Sequence, residues 1–406
     1  MPNKHKIIND PVFGFISIPN RILDVVQHRY VQRLTRIRQL GLSCYVYPGA
    51  VHTRFLHSIG AMHLMGEAIT QLRAQGHEIS AEEAEAARMA ILLHDIGHGP
   101  FSHVMEHSLV SGISHEEVSS LMMQRINSDM NGRLDMAISI FENHYEKPFL
   151  HQLVSSQLDT DRLDYLSRDS FFCGVSEGMI GSARLLKMLN VSDDRLVIES
   201  KGIYSVEKFL VARRLMYWQV YLHKTSVGAE QMLLHIMHRA KELAARGVEL
   251  YATPALRYFL YNQITENDFR TDEQALAMYA ALDDSDLWSA IKVWTTHQDK
   301  VLSLLCQAFI DRRLFRAETL QAPPGREQTD HFERICTRQL GIDAADAHYF
   351  WDLHTVTTDT YHADDERINI LMKDGSVCDI SEASDMLNID VLTRKATKLF
   401  YYTWRL

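Results

Sequence analysis

The run Met89-Ala-Ile-Leu-Leu-His94-Asp95-Ile-Gly97-His98-Gly-Pro-Phe-Ser-His103 constrains this chain more than any other stretch. Ser80-Ala81-Glu82-Glu83 has the pattern of a capping box and predicts that a helix starts there. The last turn of that helix, Met89 to Leu93, is apolar on nearly every side, which predicts burial. A charged Asp95 at the end of a buried helix is costly unless it is paired or bound to a metal. Gly97 then breaks the helix, so the His94-Asp95 pair sits at an element end beside a cavity. Imidazole and carboxylate side by side can both ligate a divalent ion. The question is whether the rest of the chain supplies partners for the pair.

Two segments do. Arg54 and His57 lie at i, i+3 on a predicted helix whose other side carries Phe55, Ile59 and Met62. Taken alone, His57 reads more readily as a core or surface histidine than as a ligand. Asp161, Tyr165 and Asp169 fall at i, i+4, i+8, one stripe of one helix, with Arg162 one residue round. Asp164 and Arg168, at i, i+4, have the spacing of an ordinary surface pair. His57, His94, Asp95 and Asp161 would together offer two imidazoles and two carboxylates projecting from helices into a core, as helical metal sites do. The two carboxylates balance the charge of M²⁺. The imidazoles disfavour Mg²⁺ as the tightly held ion and favour Fe²⁺, Mn²⁺, Ni²⁺ or Zn²⁺, leaving Mg²⁺ a place only with substrate phosphates.

Composition narrows the function classes. With 406 residues, 46% of them hydrophobic, the chain can bury a large core and has room for more than one domain. A formal net charge of -10 argues against a general nucleic-acid binder, since no basic excess is available along a phosphate track. The five cysteines, Cys44, Cys173, Cys306, Cys336 and Cys378, are odd in number, widely spaced and never CxxC. They read as free thiols in a reducing cytoplasm. The first twenty residues carry no long apolar segment, and no run of about 18 apolar residues occurs, so neither a signal peptide nor a membrane span is expected.

Elsewhere the pattern is mainly helical. The stretch 1–20 reads as an irregular or hairpin start, and Arg21 to Leu40 as a helix with Arg29, Arg33 and Arg36 on one face. That stripe is either a solvated face or an anion site or subunit contact. Residues 195–206 read as a hairpin turning at Gly202. A long helix over 206–246 carries Arg213, Tyr217 and Tyr221 on one face, and such an aromatic stripe is more often core than binding surface. Beyond 250 the chain reads as helical, structural or interfacial, with a short hairpin near 368–380 turning at Asp374-Gly375.

Three blocks carry a family resemblance: Tyr45-Val-Tyr-Pro-Gly-Ala-Val-His-Thr-Arg54-Phe-Leu-His57-Ser, the His94-to-His103 run, and Asp159-Thr-Asp161-Arg162-Leu-Asp164-Tyr165. With Tyr221-Leu-His-Lys224, they resemble the HD-domain phosphohydrolase superfamily. More narrowly, they resemble deoxynucleoside triphosphate triphosphohydrolases related to the vertebrate sterile-alpha-motif/HD-domain enzyme. The resemblance covers roughly residues 10–240. It implies an HD-domain helical fold over 1–250, small β-hairpins, and a mostly helical region over 251–406.

The resemblance also implies roles. His57, His94, Asp95 and Asp161 hold the metal, with Asp161 preferred to its neighbour Asp159. Arg54, His103, Arg162 and Arg213 hold the triphosphate. Tyr165, Asp169, Gln39 and Leu40 line the sugar pocket, Asp169 and Gln39 towards a 3′-hydroxyl and Leu40 and Tyr165 against a 2′-hydroxyl. His115, His98 and Glu106 form the catalytic cluster, with His115 protonating the leaving 5′-oxygen and Glu106 orienting it. The implied reaction converts a dNTP to deoxynucleoside and inorganic triphosphate, in a cytoplasmic homo-oligomer, dimer or tetramer. The sequence departs from the vertebrate pattern at Gln27 and Thr35, where residues reading guanine at an allosteric site are not matched, and at Tyr217 and Gln219 near the phosphates. An HD phosphohydrolase acting on another nucleotide, or a non-catalytic nucleotide sensor, are the alternatives.

Overall fold

The computed structural model describes residues 6–102, 104, 108–110, 112–358, 361, 367–389 and 393–406. The chain is mainly helical. It opens with an antiparallel hairpin, β1 (Lys6–Asp10) and β2 (Gly14–Ile18), in which Asp10 Oδ1 accepts the N–H groups of Val12 and Phe13 at 2.9 Å. The Arg21–Leu40 segment is not one helix. Asn20–Gln27 is helical, a single turn follows over Arg29–Gln32, and Arg33–Arg36 tightens to 3₁₀. His28 stops the first helix and caps the next turn, its Nδ1 accepting the Tyr30 N–H. The expected arginine stripe therefore never forms. Arg33 turns inward and is buried, while Arg36 pairs with Asp283 at 2.5 Å.

The centre of the fold is a pair of helices, Arg54–Ala74 and Ala81–Leu93, most of whose residues are buried. The second starts at the predicted capping box, with Ser80 Oγ accepting the Glu83 N–H at 3.1 Å and the Glu83 carboxylate accepting the Ser80 N–H at 2.7 Å. His115–Asp129 begins at a second capping box, Ser114 with Glu117. Thr160–Cys173 packs on the Arg54 helix and is capped by Asp159, which accepts the Arg162 N–H at 2.7 Å.

Two local expectations are corrected. The hairpin lies at β3 (Leu189–Ser192) and β4 (Arg195–Glu199), and its turn is Asp193-Asp194, both left-handed at φ 49° and 57°. Asp tolerates that conformation, so the turn signal was the acidic pair and not Gly202, which instead precedes the helix Ile203–Met216. The long helix over 206–246 is interrupted. A π-helical turn at Tyr217–Tyr221 ends it, and His223 caps a new helix, Lys224–Ala245. Such turns recur at functional sites.

Helices continue from Pro254 to Leu340. The C-terminal strands are β5 (Arg316–Leu320), β6 (Trp351–Thr358), β7 (Asn369–Leu371), β8 (Val377–Asp379) and β9 (Ala396–Thr403). Strands β5, β9 and β6 form an antiparallel sheet in that order. The β7–β8 hairpin turns where expected, with Gly375 at φ 87°, and β7 runs parallel beside β4, so that N- and C-terminal segments share one four-stranded sheet. One buried apolar cluster runs from Ile16 to Tyr402. All five cysteines are free thiols. Among the described residues, no helix is long and apolar enough to cross a membrane.

Candidate active site

The His-Asp pair lies where the Ala81–Leu93 helix ends, and the turn beyond it is pinned from three sides. Gly97 N–H donates to Ser119 Oγ at 2.9 Å, and Ser119 Oγ donates to the His94 carbonyl at 2.7 Å. Buried Arg33 donates Nη1–H to the Ile96 carbonyl at 2.9 Å, and Tyr279 donates its hydroxyl to the Gly97 carbonyl at 2.9 Å. Glycine is needed at 97 because of close approach. A Cβ there would lie 2.1 Å from the His115 carbonyl oxygen and 2.4 Å from Ser119 N.

Two imidazoles and a carboxylate converge beneath this turn. His57 Nε2 is 3.1 Å and His94 Nε2 3.3 Å from Asp161 Oδ1. Each ring's other nitrogen is committed. His57 Nδ1 lies 2.8 Å from Asp164 Oδ2, and His94 Nδ1 lies 2.7 Å from the Ile91 carbonyl, so each Nδ1 carries the proton and donates it. The two Nε2 atoms are buried, make no hydrogen bond among the described residues, and face the same carboxylate. This is how metal-ligating histidines are held, and the three ligand atoms lie within 4.8 Å of one another. The residues present therefore fit a divalent ion. Asp95 adjoins the group, Oδ1 3.3 Å from His94 Nε2 and Oδ2 3.8 Å from His57 Nε2, while Arg54 Nη1 sits 2.5 Å from Oδ2.

The electrostatics follow from this crowding. Burial opposes charge on His57, but Asp161 and Asp164 outweigh it and push its pKa up to about 10. Burial likewise works against the charged forms of Asp95 and Asp161, yet the neighbouring histidines hold both carboxyls well below the usual range. Asp159 is different. It faces Arg162 as a helix cap, and burial raises its pKa.

A cavity of about 680 Å³ opens from this cluster. Arg54, Asp95, Asp161, Arg162, Tyr165 and Asp169 line it, as do Gln39, Leu40, His98 and His115. His98 and His115 stack with ring centroids 3.9 Å apart, and His98 Nδ1 is held 2.8 Å from Ser102 Oγ. Asp169 is fixed through both oxygens, His52 Nε2 at 2.7 Å and the Tyr221 hydroxyl at 2.9 Å. Gln39 Oε1 is buried without a partner among the described residues. Arg213 does not line the cavity. It is buried with its guanidinium 5.9 Å from the Tyr217 ring. Among the described residues, Arg54 Nε, Arg162 Nε and Arg213 Nε and Nη1 are all buried N–H donors without hydrogen-bond partners. His103 and Glu106 lie outside the described residues.

The HD domain family model matches residues 54–169, and a model of the HD-associated region matches 180–288. The uncharacterized protein YwfO of Bacillus subtilis is 30% identical over 98% of this chain and 92% of its own length. A phosphohydrolase structure from Bacteroides thetaiotaomicron is 56% identical, with a TM-score of 0.96 over 99% of this chain and 100% of that one. The chain belongs to the HD-domain phosphohydrolase superfamily. Its HD-domain relatives include the Dictyostelium discoideum homolog of the deoxynucleoside triphosphate triphosphohydrolase SAMHD1, which is 34% identical over 56% of this chain and 48% of that protein. Human SAMHD1 is 26% identical over 65% of this chain and 50% of its own.

Three features of this site escape sequence reasoning. Asp164 and Arg168 are no surface pair: both side chains are fully buried, Arg168 Nε and Nη2 each 2.9 Å from Asp164 and Nη1 2.7 Å from Asp10 of the N-terminal hairpin. Gly60 clears space for that pair, since a Cβ there would sit 2.0 Å from Asp164 Oδ1. The usable signal was that a ligating histidine needs an acceptor for its second nitrogen, and Asp164 lies on the helix that supplies Asp161. The buried role of Arg33, and the cavity wall that β6 supplies, had no local signal.

Proposed function

We propose that this HD-domain protein hydrolyses deoxynucleoside triphosphates to deoxynucleoside and inorganic triphosphate. The observation that carries the reading is the single cavity that runs from the His57–His94–Asp161 cluster past arginines to Gln39, Leu40, Tyr165 and Asp169. The activity in the names of the SAMHD1 relatives supports it. His57, His94, Asp95 and Asp161 would hold one divalent ion. When bound, that ion supplies Lewis acidity and a nucleophile at neutral pH.

The chain's own groups do the rest. Arg54 and Arg162 line the cavity and present buried N–H donors left without hydrogen-bond partners among the described residues, and a triphosphate would satisfy them. Unsatisfied, each such donor costs on the order of 1–3 kcal/mol. Charge that builds on the phosphate oxygens during attack at the α-phosphorus is offset by these guanidiniums. Gln39 Oε1 accepts a 3′-hydroxyl, and the His52 and Tyr221 contacts hold Asp169 rigid beside it. Leu40 and Tyr165 close the wall against a 2′-hydroxyl. His115, stacked on His98 at the cavity edge, gives its proton to the departing 5′-oxygen.

The test is product analysis with each dNTP and matching NTP, under Mn²⁺, Fe²⁺, Co²⁺ and Mg²⁺ in turn. Inorganic triphosphate and deoxynucleoside are expected, with dNTPs favoured over NTPs. Release of pyrophosphate or single phosphate refutes the reaction assigned, and equal turnover of NTPs refutes the Leu40–Tyr165 wall.

A further inference from the structure

The residues proposed for phosphates and sugar account for only part of the cavity. Much of the rest of its wall comes from elements outside the HD domain. The Lys224–Ala245 helix contributes Val227, Glu230, Gln231 and Leu234, which fall at i, i+3, i+4, i+7 and so share one face. Strand β6 contributes His354 to Thr357. In a nucleotide the base projects beyond the sugar, away from the phosphates, and this wall is what a base would meet.

Its chemistry is specific. Glu230 makes no hydrogen bond or ion pair among the described residues, although its charge is felt by the buried Tyr402 hydroxyl. Burial alone pushes its carboxyl up to about 7. A half-buried carboxylate without a partner among the described residues, at the wall of a ligand cavity, is placed to meet a ligand. Next to it, Gln231 Nε2 lies 3.4 Å from His354 Nδ1, and an amide carries two N–H donors, so one can face a ligand. Val227 and Leu234 flank the pair with apolar surface suited to a ring face.

We infer that Glu230 and Gln231, backed by His354, read the base of the nucleotide and select guanine. This rests on the dNTP reading above. A carboxylate has two oxygens side by side and accepts two parallel N–H bonds best. Guanine offers that pair, N1–H and the N2 amino group, with the O6 acceptor alongside for the Gln231 amide. Adenine and cytosine place one donor beside an acceptor, and thymine offers a single N–H, so each leaves a Glu230 oxygen unpaired. A site built to hydrogen-bond one edge discriminates strongly against edges that lack it.

The experiment compares kcat/KM for dGTP and dTTP at pH 8, where Glu230 is ionised, in the wild type, Glu230→Gln and Glu230→Ala. The wild type is expected to favour dGTP, and both variants to lower the dGTP:dTTP ratio by about 10-fold or more, as loss of a charge-assisted pair predicts. Calorimetric binding of dGTP and dTTP to the metal-free proteins should show the same loss of preference. Metal content and circular dichroism report whether the variants fold. If tripolyphosphate is released from both nucleotides and the ratio is unchanged by either substitution, the base assignment falls while the dNTP reading stands. If no dNTP is hydrolysed or bound, the dNTP reading falls and this inference falls with it.

Discussion

Replacing Arg168 tests whether the proposed metal site depends on charge buried behind it. Arg168 is enclosed by the fold, its Nε and Nη2 2.9 Å from Asp164, its Nη1 2.7 Å from Asp10, and its guanidinium 5.6 Å from the Phe13 ring. Arg168→Met keeps most of the side-chain volume but takes the guanidinium from two buried carboxylates, leaving Asp10 without an ion pair among the described residues and Asp164 with His57 alone. Breaking a buried pair by removing one partner costs about 3–5 kcal/mol, because the remaining charge stays desolvated. Urea unfolding at pH 7 should show a loss of that size. A second effect reaches the metal ligands. Asp164 Oδ2 accepts the His57 Nδ1–H at 2.8 Å, and once Arg168 no longer holds Asp164, the orientation of His57 loosens. Losing such an outer partner weakens metal affinity about 10–100-fold, which is roughly 1.4–2.7 kcal/mol. The assay is competition for Mn²⁺ or Fe²⁺ against a chelator of known affinity, under conditions where circular dichroism shows the helices intact. A folded Arg168→Met protein with wild-type stability would refute the buried-charge argument. Normal stability loss with unchanged metal affinity would refute the coupling through Asp164 and His57.

His94→Ala with Asp95→Ala should remove bound metal and phosphohydrolase activity while the far-ultraviolet spectrum stays helical; full metal content in the double variant would exclude these ligands. Asp161→Ala should weaken metal binding far more than Asp159→Ala, because Asp161 Oδ1 meets both imidazoles while Asp159 caps its helix and pairs with Arg162, so equal effects in metal titration would mean the wrong aspartate. Glu83→Ala should cost about 2–3 kcal/mol at pH 7 by removing a capping partner and the bonds from Lys147 and Tyr145, read by chemical denaturation. Burial works against the Glu83 charge, but Lys147, the Ser80 N–H and Tyr145 lower its pKa in the folded state. That stability is therefore present above the ordinary carboxylate range and lost as pH falls through it, so the wild-type advantage should shrink on acidification.

Which parts of this protein were legible in its sequence depended on how local the physics was. The capping box at Ser80 spans four residues and forms as read, and the same four-residue pattern forms again at Ser114. The His94-Asp95-Ile-Gly97 turn declared itself because a buried helix cannot end on an unpaired carboxylate, and the β7–β8 turn because Asp-Gly favours it. The breaks in the 20–40 and 206–246 segments were missed for a different reason. Nothing in residues 20–40 alone says that Arg33 will turn inward to hold the Ile96 carbonyl, since that bond links residues 63 positions apart. Asp164 and Arg168 show how far identical spacing can mislead. At i, i+4 they have the look of a surface pair, and the difference is made by Asp10 and His57, which arrive from 158 and 107 positions away. Sequence spacing reports which side chains share a face, but what that face meets is set by the packing of other elements. The same logic makes the cavity wall the least legible part of the site. Glu230 carries no motif, and β6 follows some two hundred residues after the HD domain ends. Residues that a shared chemistry demands recur as motifs. Those that choose among substrates need only reach the cavity, and any element the fold brings there can supply them.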